Sequence, residues 1–227
     1  MRKELIYRSA NHDKVNQKDI KKLKGLRIKT IVDLRDPSEF SSGKTEIPGI
    51  KIINIPLKFE NITRQRLRPL LKRNYDPDEI NRVLNGVYVE IVDAVRPVLS
   101  KLAAMICELN NTPLLIHCQA GKDRTGILIA LLQMIADVDR EEIIRDYLAS
   151  NDSLLPHFKR KLKLRKHITL GFFPSEAVLH AVTQKREDIL TVIDRVDNHY
   201  GGIKEYLSGT GYDISQINKL RDILVEK

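Results

Sequence analysis

The sequence predicts an α/β fold: a single domain in which a mostly parallel sheet is flanked by helices. Three observations predict it. Short β-branched or apolar runs alternate along the chain with stretches of helical periodicity. No Pro-, Gly- or Ser-rich linker divides the 227 residues, a length that suits one large domain or two small ones. Hydrophobic residues make up 42% and charged residues 30%, which supplies a core and argues against intrinsic disorder. Within the one domain, 1–227, residues 64–95 are a candidate lid or helical insertion and 150–227 a C-terminal helical part.

The elements follow in order. An apolar run at 5–7 opens the chain. Residues 16–23 read as a short helix, with Asn16 as N-cap and Gly25 just past its end. Residues 27–34 carry Ile28, Ile31 and Val32 and stop at Asp36-Pro37, which marks a strand. A loop over 41–49 leads to a second strand at 50–55, closed by Pro56. The basic stretch 59–74, with Arg64, Arg66, Arg68 and Arg73, takes no clear assignment.

Residues 78–95 place Ile80, Val83, Leu84, Val87 and Ile91 on one helical face. Pro97 suits the first turn of a second helix, expected to run to about Leu109. After a turn at 110–113 comes a buried strand, 114–117, and then a helix over 126–136 that is apolar nearly all round. Asp139 is expected to cap a helix through Ala149, with Glu142 completing a capping box. Residues 175–200 read as one long helix ended by Gly201-Gly202. Residues 213–225 read as the last, with a box-like Asp213 and Gln216.

Charge and cysteine usage narrow the function. Lys plus Arg number 39 against 30 Asp plus Glu, a net of +9 that favours anionic partners. Aromatics are 5% and do not alternate with basic residues, so no nucleic-acid partner is expected. Two cysteines, Cys107 and Cys118, exclude a disulfide scaffold and a zinc site built mainly of cysteine, and no metal or cofactor is expected. The longest near-apolar stretch, 126–136, is far short of the ~20 residues that span a bilayer. The first residues lack the apolar core of a signal peptide, so the expected location is cytoplasmic. The Asn61 and Asn151 glycosylation triplets therefore carry no weight. The run 157–167, with Lys159, Arg160, Lys161, Lys163, Arg165 and Lys166, reads as a solvated helix face, and also as a candidate contact with an anionic membrane surface.

The chemistry concentrates in His117-Cys118-Gln119-Ala120-Gly121-Lys122-Asp123-Arg124-Thr125-Gly126, between the buried strand and the buried helix. Ligands of such folds bind at the carboxyl ends of strands, where loop N–H groups and the positive end of the next helix form an anion cradle. A cysteine at that place reacts as its thiolate. Arg124, six residues after Cys118, can grip two phosphate oxygens with its planar fork. Gly121 and Gly126 allow a tight turn and close approach. The Thr125 hydroxyl can donate to the sulfur, and His117 can hold the loop by hydrogen bonds. Cys107 reads as core. Asp33 and Arg35 end a strand on one side and read as an ion pair or as neighbours of the site.

Six fixed positions in one register, His117, Cys118, Gly121, Arg124, Thr125 and Gly126, arise by chance at roughly one in 10^8 positions, at about one in 20 each. The segment closely resembles the signature loop of the cysteine-dependent (Cys-x5-Arg) tyrosine and dual-specificity phosphatases. Within them it resembles the bacterial tyrosine/lipid phosphatase family, whose loop reads His-Cys-x-Ala-Gly-Lys-Asp-Arg-Thr-Gly. Tyr7-Arg8-Ser9-Ala10, Ile31-Val32-Asp33-Leu34-Arg35 with Ser38-Glu39, Asp146-Tyr147-Leu148-Ala149-Ser150-Asn151, and Tyr200-Gly201-Gly202 with Tyr206-Leu207 resemble further parts of that family. The family's Asn-Phe-Arg-Asp segment upstream is absent.

The resemblance implies hydrolysis of phosphotyrosine, phosphoinositides or both, without a metal. Cys118 would form a phosphocysteine, and the N–H groups of Gln119, Ala120, Gly121, Lys122, Asp123 and Arg124 would hold phosphate oxygens with the Arg124 side chain. Lys122 would add a cationic point at the rim. Asp123 is the first candidate for the general acid, Glu60 the second, and Asp76 and Asp78 the third. The rival readings are a non-catalytic phosphate-binding module and a related phosphatase of RNA 5′-triphosphates or inositol phosphates. A nucleotide P-loop fails because Asp123 follows Lys122 and Ile116 stands where the leading Gly belongs.

Overall fold

The computed structural model describes residues 1–40, 46–57, 60–108 and 111–225. Four strands, β1 (Ile6–Ser9), β2 (Thr30–Asp33), β3 (Lys51–Asn54) and β4 (Leu114–His117), pair in the order β1-β4-β2-β3, all parallel. Every residue of β2 and β4 is buried, as expected of parallel strands covered on both faces. Successive residues alternate between those faces. Val32, Leu114 and Ile116 join the main core, whereas Ile31 and Leu115 join a smaller cluster with Leu23 of α1 (Gln17–Gly25). The register sets Ser9, His117, Asp33 and Asn54 side by side at the carboxyl end of the sheet. That row is where the loop of interest begins.

α1 starts as expected: the Asn16 side chain accepts from the N–H groups of Lys18 and Asp19, and Asp19 returns a bond to the Asn16 N–H. Gly25 is the last helical residue rather than the one beyond it, and the left-handed position that follows falls on Arg27 at φ 55. The unassigned basic stretch contains α2 (Glu60–Leu67) and a 3₁₀ turn over Arg68–Leu70. Part of the loop expected at 41–49, residues 41–45, lies outside the described residues, as does Leu109.

Pro97 does not begin a helix. α3 (Pro77–Cys107) runs unbroken through it for 31 residues. Pro97 is exposed, so its missing N–H faces solvent. Val92, Val95, Val98 and Leu99 are buried on either side and hold the backbone in line. The true start is Asp76-Pro77, where the Asp76 carboxylate accepts from the Asp78 N–H. α4 (Asp123–Ile135) is buried nearly throughout, and α5 (Arg140–Leu148) follows with Asp139 as its N-cap. Asp139 accepts from the N–H groups of Glu141 and Glu142, and no return bond from Glu142 closes the expected box.

The basic stretch forms α6 (Ser150–Ile168). The helix expected over 175–200 is broken into α7 (Ser175–Val182), α8 (Arg186–Asp194) and a π-helical turn, Arg195–His199. Asn151 makes the first break. Its amide donates to the Gln184 carbonyl at 2.9 Å and accepts from the Gln184 N–H at 3.0 Å, replacing the bonds a helix would use there. Asp188 then caps the restart at the Lys185 N–H. α9 (Ile203–Ser208) and α10 (Ile214–Leu224) end the chain, the latter with the expected Asp213–Gln216 box. Among the described residues, no helix is long and apolar enough to cross a membrane.

Candidate active site

β4 delivers His117 and Cys118 to the carboxyl edge of the sheet, and α4 begins five residues later at Asp123. The intervening loop turns at Gly121, which sits at φ 66. A Cβ there would lie 2.1 Å from the Ser9 carbonyl oxygen, so only glycine fits. The segment after β1 fastens the loop from outside. Arg8 Nη2 donates to the Gly121 carbonyl and to Ser150 Oγ, both at 2.8 Å, and Nη1 lies 3.4 Å from Asp146. The Asn11 backbone N–H and side-chain amide both donate to the Gln119 carbonyl, at 3.2 and 3.1 Å. Gly126, inside α4, lets the Tyr147 ring approach: a Cβ would meet it at 3.0 Å.

Arg124 is 3% exposed, and its guanidinium is forked by Glu39. Nη1 donates to Oε2 at 2.6 Å and Nη2 to Oε1 at 2.8 Å. Glu39 is itself fixed by accepting from the Asp36 N–H at 2.8 Å. Burial pushes the Glu39 carboxyl up, and the bonds from Arg124 and Asp36 outweigh it, holding the group below the ordinary carboxylate range.

A second buried fork lies beside the first. Arg35 bonds Asp33 through Nε and Nη2 and Asp13 through Nη1 at 2.8 and 2.9 Å. His117 Nε2 stands 3.7 Å from Asp33 and its Nδ1 3.1 Å from the Cys118 carbonyl. The His12 ring packs edge-on against it at 4.6 Å. Burial keeps both imidazoles neutral: it lowers His117 against the pull of Asp33, and lowers His12 to about 4. His117 therefore holds the loop and orients its first carbonyl.

The far side of the loop is a polar cluster. Asp123 Oδ1 accepts from Tyr88 Oη at 2.8 Å and lies 3.2 Å from Lys122 Nζ. Tyr88 Oη is 2.7 Å from Tyr147 Oη. Burial and the neighbouring Asp123 charge push both phenols well above their ordinary value, so both remain neutral donors. Buried Asp188 of α8 shares this environment. Loss of hydration, opposed by the Lys185 N–H and reinforced by the Asp123 charge, pushes its carboxyl up to about 6.

The structure thus brings together Cys118, Gln119, Ala120, Gly121, Lys122, Asp123 and Arg124 on one loop and helix start. Two details differ from the sequence reading. Lys122 is buried and paired with Asp123, not standing at a rim. The Thr125 hydroxyl is buried with no hydrogen-bond partner among the described residues, so it makes no bond to the Cys118 sulfur. Of the other acid candidates, Asp76 is occupied capping α3, Asp78 is exposed in its first turn, and the Glu60 side chain lies outside the described set. Sequence reasoning gave no role to Arg8, Asn11, Glu39 or Tyr88. Arg8 and Glu39 stand in segments that resemble the family, and Glu39 also carries a local signal, the Asp36-x-x-Glu39 capping pair.

A family model described as the tyrosine phosphatase family matches residues 1–226. The chain belongs to that family. Its relatives include the triple specificity protein phosphatase PtpB of Mycobacterium tuberculosis, 30% identical over an alignment of 142 residues, with 58% of this chain and 49% of PtpB covered. The chain thus matches about half the length of PtpB. A tyrosine-protein phosphatase of Nostoc commune is 24% identical, covering 94% of this chain and 72% of its own. Among solved structures, the core catalytic domain of the PP-IP phosphatase SIW14 from S. cerevisiae, bound to citrate, is 20% identical. It covers 65% of this chain and 76% of its own at a TM-score of 0.38, too low to bear on the site.

Proposed function

We propose that this tyrosine-phosphatase-family chain is a phosphomonoesterase that hydrolyses phosphotyrosine, phosphoinositides or both through a phosphocysteine on Cys118. One observation carries the reading. The loop between Cys118 and Arg124 takes a turn that only Gly121 permits, and Arg124 is preset at its end by the Glu39 fork.

The Cys118 thiolate attacks phosphorus, the S–P bond forms and the P–O bond to the leaving group breaks. Loop N–H groups and Arg124 hold the equatorial oxygens as charge shifts through the transition state. In the reactive complex Asp123 carries a proton, donates it to the leaving oxygen and is left as the carboxylate. Water then attacks the phosphocysteine and gives a proton to the Asp123 carboxylate, which restores the acid; the S–P bond breaks, inorganic phosphate leaves and the thiolate returns. Lys122 and Tyr88 position Asp123 by the two contacts its Oδ1 makes.

The test is phosphate release from a panel of phosphotyrosine and phosphoserine peptides and soluble short-chain phosphoinositides. Turnover of phosphotyrosine, a phosphoinositide or both supports the proposal. Binding of phosphate analogues without turnover of any member contradicts it.

A further inference from the structure

The end of α6 and the turn after it carry a feature that the fold does not use. Leu164, Ile168, Leu170 and Phe172 are 59%, 69%, 86% and 71% exposed. Leu162 buries the inner face of α6, and Leu164 and Ile168 stand about 200° and 240° round the helix from it. Arg160 and Lys161 share that outward face by the same spacing. The turn is tight, with Leu170 at φ 48 and Gly171 at φ 85. A leucine in the left-handed region, with nearly all its surface in water, costs the fold on both counts.

The charge around the patch is predominantly positive. Residues 153–175 contain six Lys or Arg and no Asp or Glu. Arg73 lies over the Phe172 ring at 5.8 Å and Arg165 over Phe173 at 5.6 Å. A groove of about 200 Å³ beside the turn is lined by three cations, Lys72, Arg73 and Lys166, and by one acid, Glu176, 3.9 Å from Lys166.

We propose that this tip docks on a bilayer leaflet rich in anionic lipid. The four apolar side chains enter the headgroup–acyl boundary, and the surrounding cations meet lipid phosphates and carboxylates. Each cation close to such a leaflet is worth about fivefold in partitioning, so apolar and charged parts reinforce one another. α6 ties the tip to the catalytic loop, because Ser150 at its start accepts from the same Arg8 nitrogen that holds the Gly121 carbonyl. Docking goes beyond the phosphatase reading and can be measured without turnover.

The experiment is co-sedimentation of the full chain with vesicles of phosphatidylcholine alone, and with phosphatidylserine added, both free of phosphoinositide. The wild type should sediment with the anionic vesicles, less so as salt rises, and not with the neutral ones. A variant combining Leu164→Gln, Ile168→Gln, Leu170→Asn and Phe172→Gln should bind at least about tenfold more weakly. Its circular dichroism and its turnover of p-nitrophenyl phosphate should match the wild type. The proposal is overturned if the wild type stays in the supernatant at low salt. Equal binding by wild type and variant overturns it too. So does a wild-type dimer that the four substitutions dissociate while vesicles capture neither form, since the patch then meets a second copy of the chain.

Discussion

Arg124 and Glu39 face one another in a two-bond fork, 2.6 and 2.8 Å long, across the mouth of the phosphate loop. The two residues lie 85 positions apart, and β2 and β4 bring them together as neighbours in the sheet. Glu39 takes one hydrogen from each terminal nitrogen of a planar group, which fixes the plane of the guanidinium before any substrate arrives.

Glu39→Gln should therefore lower kcat/KM for p-nitrophenyl phosphate by roughly ten- to a hundredfold, the scale of a charge-assisted hydrogen bond. The pH dependence follows from the depressed carboxyl. The fork's contribution to stability is complete above the ordinary carboxylate value of about 4.3 and is lost as pH falls through the lower folded value. The Tm gap between wild type and Glu39→Gln should be wide at neutral pH and close in acid. A gap independent of pH would contradict the fork.

Gly121→Ala should be nearly inactive and several degrees less stable. The added Cβ meets the Ser9 carbonyl at 2.1 Å on a backbone at φ 66, and relief requires β1 or the loop to move. A cost of about 1–3 kcal/mol for the backbone alone sets the minimum loss. Thermal melting and steady-state kinetics check both parts.

Asp123→Asn should slow alkyl phosphates far more than p-nitrophenyl phosphate, because a good leaving group needs little protonation. Tyr88→Phe removes a bond to the same carboxylate oxygen and should show a milder version of the same leaving-group dependence. Equal losses on both substrates would make the cluster structural, and Glu60 would become the acid to test.

Asp188→Asn should change the pH profile of stability. The folded carboxyl is raised from 3.8 to about 6, so the wild type holds this proton while the unfolded chain releases it. Stability is thus lost as pH rises through about 6, on the order of 3 kcal/mol once the group is ionised. The asparagine variant should gain Tm relative to wild type between about pH 4 and 7. A constant difference over that range would contradict the assignment.

The candidate catalytic loop was legible because the chemistry proposed for it is local: Cys118, Gly121 and Arg124 are spaced within one turn between β4 and α4. The strands were legible because parallel strands are short, apolar and punctuated, and β4 spans the residues its pattern predicts. The rest depends on partners distant in sequence. Lys122 reads as a rim cation until α3 brings Tyr88, and α8 Asp188, to the same cluster. The break between α7 and α8 is made by Asn151, more than thirty residues upstream, and no pattern within 175–200 signals it. Pro97 misleads for the converse reason: buried valines and leucines on both sides override a local breaker.

The most direct test of the account is the fate of phosphate on Cys118. Wild type and Cys118→Ser should be mixed with ³²P-labelled phosphotyrosine peptide in excess EDTA, quenched within a turnover, and assayed for label on the cysteine-containing tryptic peptide and for free phosphate. A phosphocysteine on Cys118 predicts S-phosphoryl label on that peptide and phosphate release by the wild type, and neither by Cys118→Ser, although the variant still binds vanadate or phosphate. Phosphate release by Cys118→Ser, or wild-type turnover abolished by the chelator, would contradict it.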